Sequence, residues 1–303
     1  LSAQSKSQGE GGARGLAERP QKVVLITGCS SGIGYAAAHA LRGRDWWVFP
    51  TARKEADVER LRAEGFESHR LDYEDEDSIE MAVAAVLERT GGRIDALFNN
   101  GAYAIPGALE DMPTSAMREL FEANFIGWHD LTRRVLPAMR RAGQGRIVQC
   151  SSILGFIAMP YRGAYNASKF ALEGYSDTLR MELAGTGIHV SLIEPGPIAT
   201  RFTENAMANF HRVIGKAGME SSPYRKVYER RLKRMAGGEP SPFKLPPEAV
   251  VRELIHALED PKPRARYRVT TPTKVMALAR RLLSTRALDS VLARASGAEE
   301  KAR

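Results

Sequence analysis

Tyr165 and Lys169 stand four residues apart in a segment, residues 165–184, whose apolar positions Phe170, Ala171, Leu172, Leu179, Met181 and Leu183 suit a helix with buried flanks. Positions i and i+4 share one helix face. A phenol with an ordinary pKa near ~10 exchanges protons poorly at neutral pH unless something favours its anion. A lysine ammonium does so: at ~4.5 Å and an effective dielectric of ~20 the attraction is worth roughly 3.7 kcal/mol. The expectation is an acid/base tyrosine tuned downward by its lysine. The bland alternative is a surface tyrosine and lysine that merely fall four apart, and the rest of the chain must decide between them.

A second chemical signal lies near the start of the chain. Val23-Val24-Leu25-Ile26 reads as a buried strand, and Thr27-Gly28-Cys29-Ser30-Ser31-Gly32-Ile33-Gly34 leads from it into a helix. Glycines there permit a tight turn and let backbone N–H groups approach a pyrophosphate at the helix start, so Gly28, Ser30, Ser31, Gly32, Ile33 and Gly34 are candidate cofactor contacts. Alone, such a loop is often just a turn. The second strand then ends Pro50-Thr51-Ala52-Arg53-Lys54. A free ribose diol calls for an acid about 20 residues past the loop, whereas a 2′-phosphate calls for arginine. Arg53 therefore favours NADP(H) over NAD(H), with a solvated loop charge as the alternative. Asp72, ending the third strand, offers a carboxylate for an adenine amino group, and the acidic run that follows suits a helix start.

These elements must be held by a sheet. Residues 22–27, 46–52, 66–71, 94–98, 146–150 and 188–193 read as strands, with a seventh candidate at 265–271; helical periods fill 33–41, 56–63, 78–88, 115–139, 165–184, 247–258 and 273–293. Strand and helix in alternation imply an α/β fold, a Rossmann-like doubly wound parallel seven-stranded sheet in a single domain. The expected organisation is a disordered tail at residues 1–20, a catalytic domain at 21–271 whose pattern changes over 201–245, and a basic helical extension at 272–303. The tail has no apolar run suited to a signal peptide, and no stretch of about 18 apolar residues follows. Cys29 and Cys150 form no disulfide framework, and six scattered histidines offer no metal spacing, so no metal is expected and a reducing cytoplasm is the expected location. Residues 262–303 hold eleven Lys or Arg against three acids, which equals the whole chain's formal +8. The charge sits on a tail rather than on a nucleic-acid face. Its apolar side, Leu278, Leu282, Leu283, Leu288, Val291 and Leu292, suits an anionic membrane surface, a cap on the substrate cleft, or simple packing on the chain's own domain.

Together these residues resemble the short-chain dehydrogenase/reductase family over roughly residues 21–270. The resemblance rests on Thr27-Gly28-x-x-x-Gly32-x-Gly34, Asn99-Asn100-Gly101-Ala102, Asn124, Ser151-Ser152, Tyr165-x-x-x-Lys169 and Pro195-Gly196-Pro197-Ile198-x-Thr200, in that order. The family usually shows N-N-A-G; here Gly101 and Ala102 are exchanged, and both are small enough for the backbone to form. The resemblance implies a tetrad. Tyr165 would exchange a proton with the substrate oxygen, and Lys169 would lower the tyrosine's pKa and hold the nicotinamide ribose. Ser152 would donate to the carbonyl, and Asn124 would anchor a water leading to Lys169. It also places Asn100 and Gly101 beside the nicotinamide ribose, Pro195, Gly196 and Ile198 around the nicotinamide amide, and Thr200 on the cofactor.

The implied activity is interconversion of an apolar carbonyl compound and its alcohol by hydride transfer. The glycine loop, Thr-Ala-Arg and the basic extension look most like the branch of 17β-hydroxysteroid and retinol dehydrogenases. A lid at 201–245, with Met159, Pro160 and Tyr161, would set substrate choice. A homodimer or homotetramer, assembled through the longest helices, is expected by the same resemblance. The competing reading is a catalytically silent NADP(H)-sensing protein, which would need the loop but not the acid/base residues.

Overall fold

A computed structural model describes residues 21–236 and 243–296. In chain order its main elements are β1 (Lys22–Ile26), α1 (Gly32–Arg42), β2 (Trp46–Ala52), α2 (Glu55–Ala63), β3 (His69–Arg70), α3 (Glu76–Arg89) and β4 (Ala96–Asn99). Next come α4 (Thr114–Phe121), α5 (Gly127–Ala142), β5 (Gly145–Cys150), α6 (Gly163–Glu182) and β6 (Ile188–Glu194). The last part contains α7 (Phe202–Val213), α8 (Gly215–Ser221), α9 (Arg225–Ala236), α10 (Glu248–Glu259), β7 (Arg266–Arg268), α11 (Thr271–Leu282) and α12 (Thr285–Ser296).

The seven strands form one sheet in the order β3-β2-β1-β4-β5-β6-β7, every pair parallel. Parallel neighbours need crossovers, and helices on the two faces supply them. Packing on both faces explains why β1 reads Val-Val-Leu-Ile, with all four side chains buried. α1 packs beside α10, and α3 beside α5. The strand order reverses between β1 and β4, which opens a crevice at the carboxyl ends of those strands, where such folds bind dinucleotides.

Three expected elements differ. The third strand, expected over 66–71, pairs only through His69 and Arg70. It is an edge strand: Gly65 turns with φ +86°, the Phe66 amide closes the preceding helix on the Leu61 carbonyl at 3.1 Å, and the Ser68 hydroxyl takes the Pro50 carbonyl at 2.8 Å. The helix expected over 115–139 is interrupted by a π-helical turn, Glu122–Ile126, between α4 and α5. The C-terminal helix expected over 273–293 is two helices, because Leu283 is extended (ψ 144°) and Ser284 starts α12, its hydroxyl accepting from the Ala287 amide at 3.4 Å.

The expected lid is helical. Through Phe210, Ile214 and Tyr228, α7 and α9 pack on Ala108. The Ala108 amide donates to the Tyr228 hydroxyl at 2.9 Å, and that hydroxyl also bonds Asp111. Lid residues 237–242, the tail at 1–20 and the last seven residues of the extension lie outside the described residues. Among the described residues no helix is long and apolar enough to cross a membrane.

Candidate active site

The glycine loop is built by contact as much as by conformation. Gly28 (φ +68°) and Gly32 (φ +62°) occupy the left-handed region. A Cβ on Gly28 would lie 2.6 Å from the Gly101 Cα, and one on Gly32 would lie 2.9 Å from the Thr200 Cγ2. Gly101 itself tolerates little more, since a Cβ there would stand 3.2 Å from the Tyr73 ring. Thus glycine in the exchanged Gly101-Ala102 order lets two loops touch.

Thr27 fastens them: its hydroxyl receives the Asn100 amide at 2.9 Å, the Gly101 amide at 3.3 Å and the Tyr73 hydroxyl at 2.7 Å. The Asn100 side chain donates to the Thr27 carbonyl at 3.1 Å. Ser31 precedes α1 without capping it through its side chain, and the first turn carries no acid, so the helix's leading amides are not satisfied by the chain's own anions. Partly exposed Ser30, Ser31 and Ile33 flank them. An uncapped helix start, a glycine cradle and the β1/β4 crevice fit the pyrophosphate of a nicotinamide dinucleotide.

Arg53 is exposed at the end of β2. Asp72 lies two residues past the short third strand, where its carboxylate receives the Glu74 amide at 3.2 Å. Beyond β6, the Pro195 carbonyl accepts from the Ile153 amide at 2.8 Å, and Ile198 pairs with Leu245 as the chain leaves for the lid. Gly196 lies on the buried threonines before and within α11: a Cβ there would meet the Thr270 hydroxyl at 2.1 Å. Thr200 covers Gly32.

Tyr165 and Lys169 lie on α6, both buried, at the end of β5. The lysine ammonium donates to the Cys150 carbonyl at 2.9 Å and sits 4.2 Å above the Trp128 ring and 5.8 Å from the centroid of the Tyr165 ring. Burial pushes Lys169 down to about 8, against the raising influence of Cys150 and Glu173. Burial likewise pushes the Tyr165 hydroxyl up, only partly offset by a hydrogen bond with Ser152. The expected lowering of the tyrosine is thus corrected in direction: desolvation of the phenolate wins, and the ammonium is engaged by the Cys150 carbonyl and the indole face. Ser152 stands between β5 and α6, its hydroxyl accepting from the Leu154 amide at 3.1 Å.

Asn124 lies within the π-helical turn. Its amide group receives the Tyr103 N–H at 3.1 Å, donates to the Tyr103 carbonyl at 2.8 Å and reaches the Ser168 hydroxyl at 3.4 Å. Turns of this kind aim a side chain that a regular helix would carry elsewhere.

Sequence reasoning missed Trp128, Glu173 and Phe202. Trp128 supplies the face beneath Lys169 and donates to the Gly101 carbonyl at 3.0 Å, tying the two halves together. Glu173, one turn after Lys169, takes the Ser151 hydroxyl at 2.5 Å and pairs with Arg266 of β7 at 3.1 Å. Arg266 and Arg268 also pair with buried Glu194 at 3.0 and 3.1 Å, whose carboxyl burial nevertheless pushes up to about 7. The helical spacing from Lys169 to Glu173 was a usable signal; the partners on β7 were not visible locally. Phe202, at the start of α7, stacks edge-on against Tyr165 with ring centroids 5.4 Å apart. Leu292 of α12 is buried in one apolar cluster with Tyr165, Ala104, Leu154, Ile157 and Ala206. Leu292, with Met276 of α11 and Leu288 of α12 packed beside it, brings the C-terminal pair of helices against the apolar surroundings of Tyr165.

Fold and site together define an oxidoreductase scaffold for a nicotinamide dinucleotide. A profile of the short chain dehydrogenase family matches residues 22–210, and the chain belongs to that family. It is 43% identical over 273 residues to the uncharacterized oxidoreductase YbbO of Escherichia coli, covering 90% of this chain and 94% of that protein. It is 34% identical over 266 residues to human 17-beta-hydroxysteroid dehydrogenase type 1, covering 82% and 77%. A short chain dehydrogenase/reductase from Burkholderia phymatum, solved in complex with NAD, superposes with a TM-score of 0.71 at 25% identity, covering 86% of this chain and 92% of that one.

Proposed function

We propose that this oxidoreductase interconverts an apolar aldehyde or ketone and its alcohol, using NADP(H) in preference to NAD(H), with Tyr165 as the acid/base. One observation carries the reading: the Tyr165 hydroxyl, held as a neutral phenol at neutral pH by burial, belongs to an apolar cluster drawn from the core, the lid and α12. A neutral phenol is the loaded form of a proton donor, which suits carbonyl reduction.

The dinucleotide, when bound, supplies the hydride. The chain's own residues handle the proton. Tyr165 donates it to the carbonyl oxygen as negative charge grows there, and Ser152 donates a hydrogen bond to the same oxygen. Lys169, still a cation below about 8, stabilises the phenolate left on Tyr165 and holds the ribose hydroxyls. Asn124 keeps the turn fastened beside α6. Arg53, on a β2 end that lacks an acid, supports recognition of a 2′-phosphate. The likeness to a hydroxysteroid dehydrogenase supports an apolar alcohol or carbonyl as substrate.

The test is consumption of NADPH, and of NADH in parallel, against a panel of aldehydes, ketones, retinoids and steroids. Carbonyl-dependent oxidation that is faster with NADPH and with the more apolar compounds supports the reading. Tight NADPH binding without turnover across the panel contradicts it.

A further inference from the structure

We propose that the outer face of the two C-terminal helices docks this protein on an anionic lipid surface, so that an apolar carbonyl held in the membrane reaches Tyr165 across the same helices. The substrate half of this inference rests on the proposed function; the docking half does not.

The helix pair has two unlike sides. Inside, Thr273 and Ala277 of α11 are buried, Arg280 lies over the Phe170 ring at 5.2 Å, and Leu292 of α12 joins the Tyr165 cluster, with Met276 and Leu288 packed against it. These contacts fix which way α11 faces. Outside, Val275 is 53% exposed, Leu278 59% and Leu282 73%, and Leu283 continues the patch at 38%. Positions 275, 278 and 282 fall on one helical stripe. Lys274 and Arg281 line one edge of the stripe, and Arg286 follows at the start of α12; all three are exposed. Three large aliphatic side chains in line, bordered by cations, are more than the scattered apolar residues of an ordinary surface.

Charge selects the occupant. Residues 271–296, the two helices and the turn between them, contain five Lys or Arg (274, 280, 281, 286 and 294) and a single acid, Asp289. A second copy meeting this face about a two-fold axis would set like charges against one another, whereas anionic headgroups neutralise them. At 12 residues α11 is too short to span a bilayer, so it lies along the surface with its aliphatic stripe among the acyl chains and its cations at headgroup level.

The experiment is flotation of the full chain with vesicles of phosphatidylcholine alone or mixed with phosphatidylserine, without cofactor or substrate. Wild type is expected to float with the anionic vesicles and to be released by high salt. Leu278→Asp/Leu282→Asp is expected to weaken that partition at least roughly tenfold, and Lys274→Glu/Arg281→Glu to a similar extent, with Tm and NADPH affinity kept. Wild type that stays with the soluble fraction, or an aspartate variant that floats like wild type, overturns docking. So does a concentration-dependent dimer, seen by light scattering and broken by the same variant, in a protein that binds no vesicles. The link to catalysis is read separately: anionic vesicles should speed turnover of a vesicle-borne long-chain aldehyde in wild type but not in Leu278→Asp/Leu282→Asp, with a short soluble aldehyde indifferent to both. Equal rates of the two proteins on the vesicle-borne substrate would overturn the delivery role while leaving the carbonyl reductase reading intact.

Discussion

The two sides of Tyr165 are built differently. On the cofactor side, β1, β4 and β5 end in short loops whose amides, carbonyls and hydroxyls answer one another: Thr27 collects Asn100, Gly101 and Tyr73, and Trp128 reaches back to Gly101. On the other side the surroundings are aliphatic and aromatic and come from distant parts of the chain, Phe202 from α7, Leu154 and Ile157 from the β5–α6 connection, and Leu292 from α12. A dinucleotide's phosphates and ribose hydroxyls demand directional polar groups, which few sequences supply. An apolar wall demands only volume and dryness, which many sequences supply. Chemistry can therefore stay fixed on one side while substrate choice drifts on the other.

Substitutions should separate the two sides. The largest effect belongs to Tyr165→Phe, which should lower kcat by about 10³-fold or more while leaving the NADPH dissociation constant, followed by nicotinamide fluorescence, nearly unchanged. Residual turnover near wild type would place the proton donor elsewhere. Arg53→Asp should cut the ratio of kcat/KM for NADPH over NADH by roughly 10- to 100-fold without changing the preference among carbonyl compounds. An unchanged ratio would remove Arg53 from the phosphate site. On the opposite side, Leu292→Ala should raise KM for a long-chain carbonyl about tenfold and leave both the short aldehydes and the NADPH/NADH ratio alone. An equal loss on short and long substrates would mean that α12 supports the fold rather than the pocket.

The smallest expected effect is on stability. Lys169 titrates near 8 in the folded chain, below its ordinary 10.5, so between those values the unfolded chain binds more protons and the group's contribution to stability rises with pH. Lys169→Met should remove that rise, worth on the order of 2 kcal/mol, in denaturant titrations at about pH 7 and pH 10. Parallel curves for the two proteins would show that burial does not depress Lys169.

Local signals made most of the cofactor side legible in the sequence. The glycine loop, the buried β1 run and the tyrosine–lysine spacing each occupy fewer than about ten residues and obey one backbone rule apiece. The rest depends on contacts that no window contains. Trp128 earns no notice as a tryptophan in a helix; its role follows from a π-helical turn that re-phases α5, and periodicity alone predicts one helix there. Arg266, the ion-pair partner of Glu173, lies on β7, 93 residues away. Leu292 could be read as an apolar helix position, but its place in the Tyr165 cluster follows from the break at Leu283 and Ser284, which folds α12 back onto the domain. The tyrosine's proton affinity escapes the sequence for a related reason: the four-residue spacing reveals the neighbouring lysine, but not the burial that pushes the hydroxyl up.

If Tyr165 begins a reduction as a neutral acid beside a cationic Lys169, the pH dependence must say so. We would measure kcat/KM for NADPH-dependent reduction of one apolar aldehyde from about pH 6 to pH 10, with NADPH saturating. The expected profile is flat on the acid side and falls above about 8, where Lys169 loses its charge, with Lys169→Arg moving the fall to higher pH. A rate that climbs through the same range would mean that the phenolate is the working form, and would contradict the assignment of Tyr165 as the proton donor.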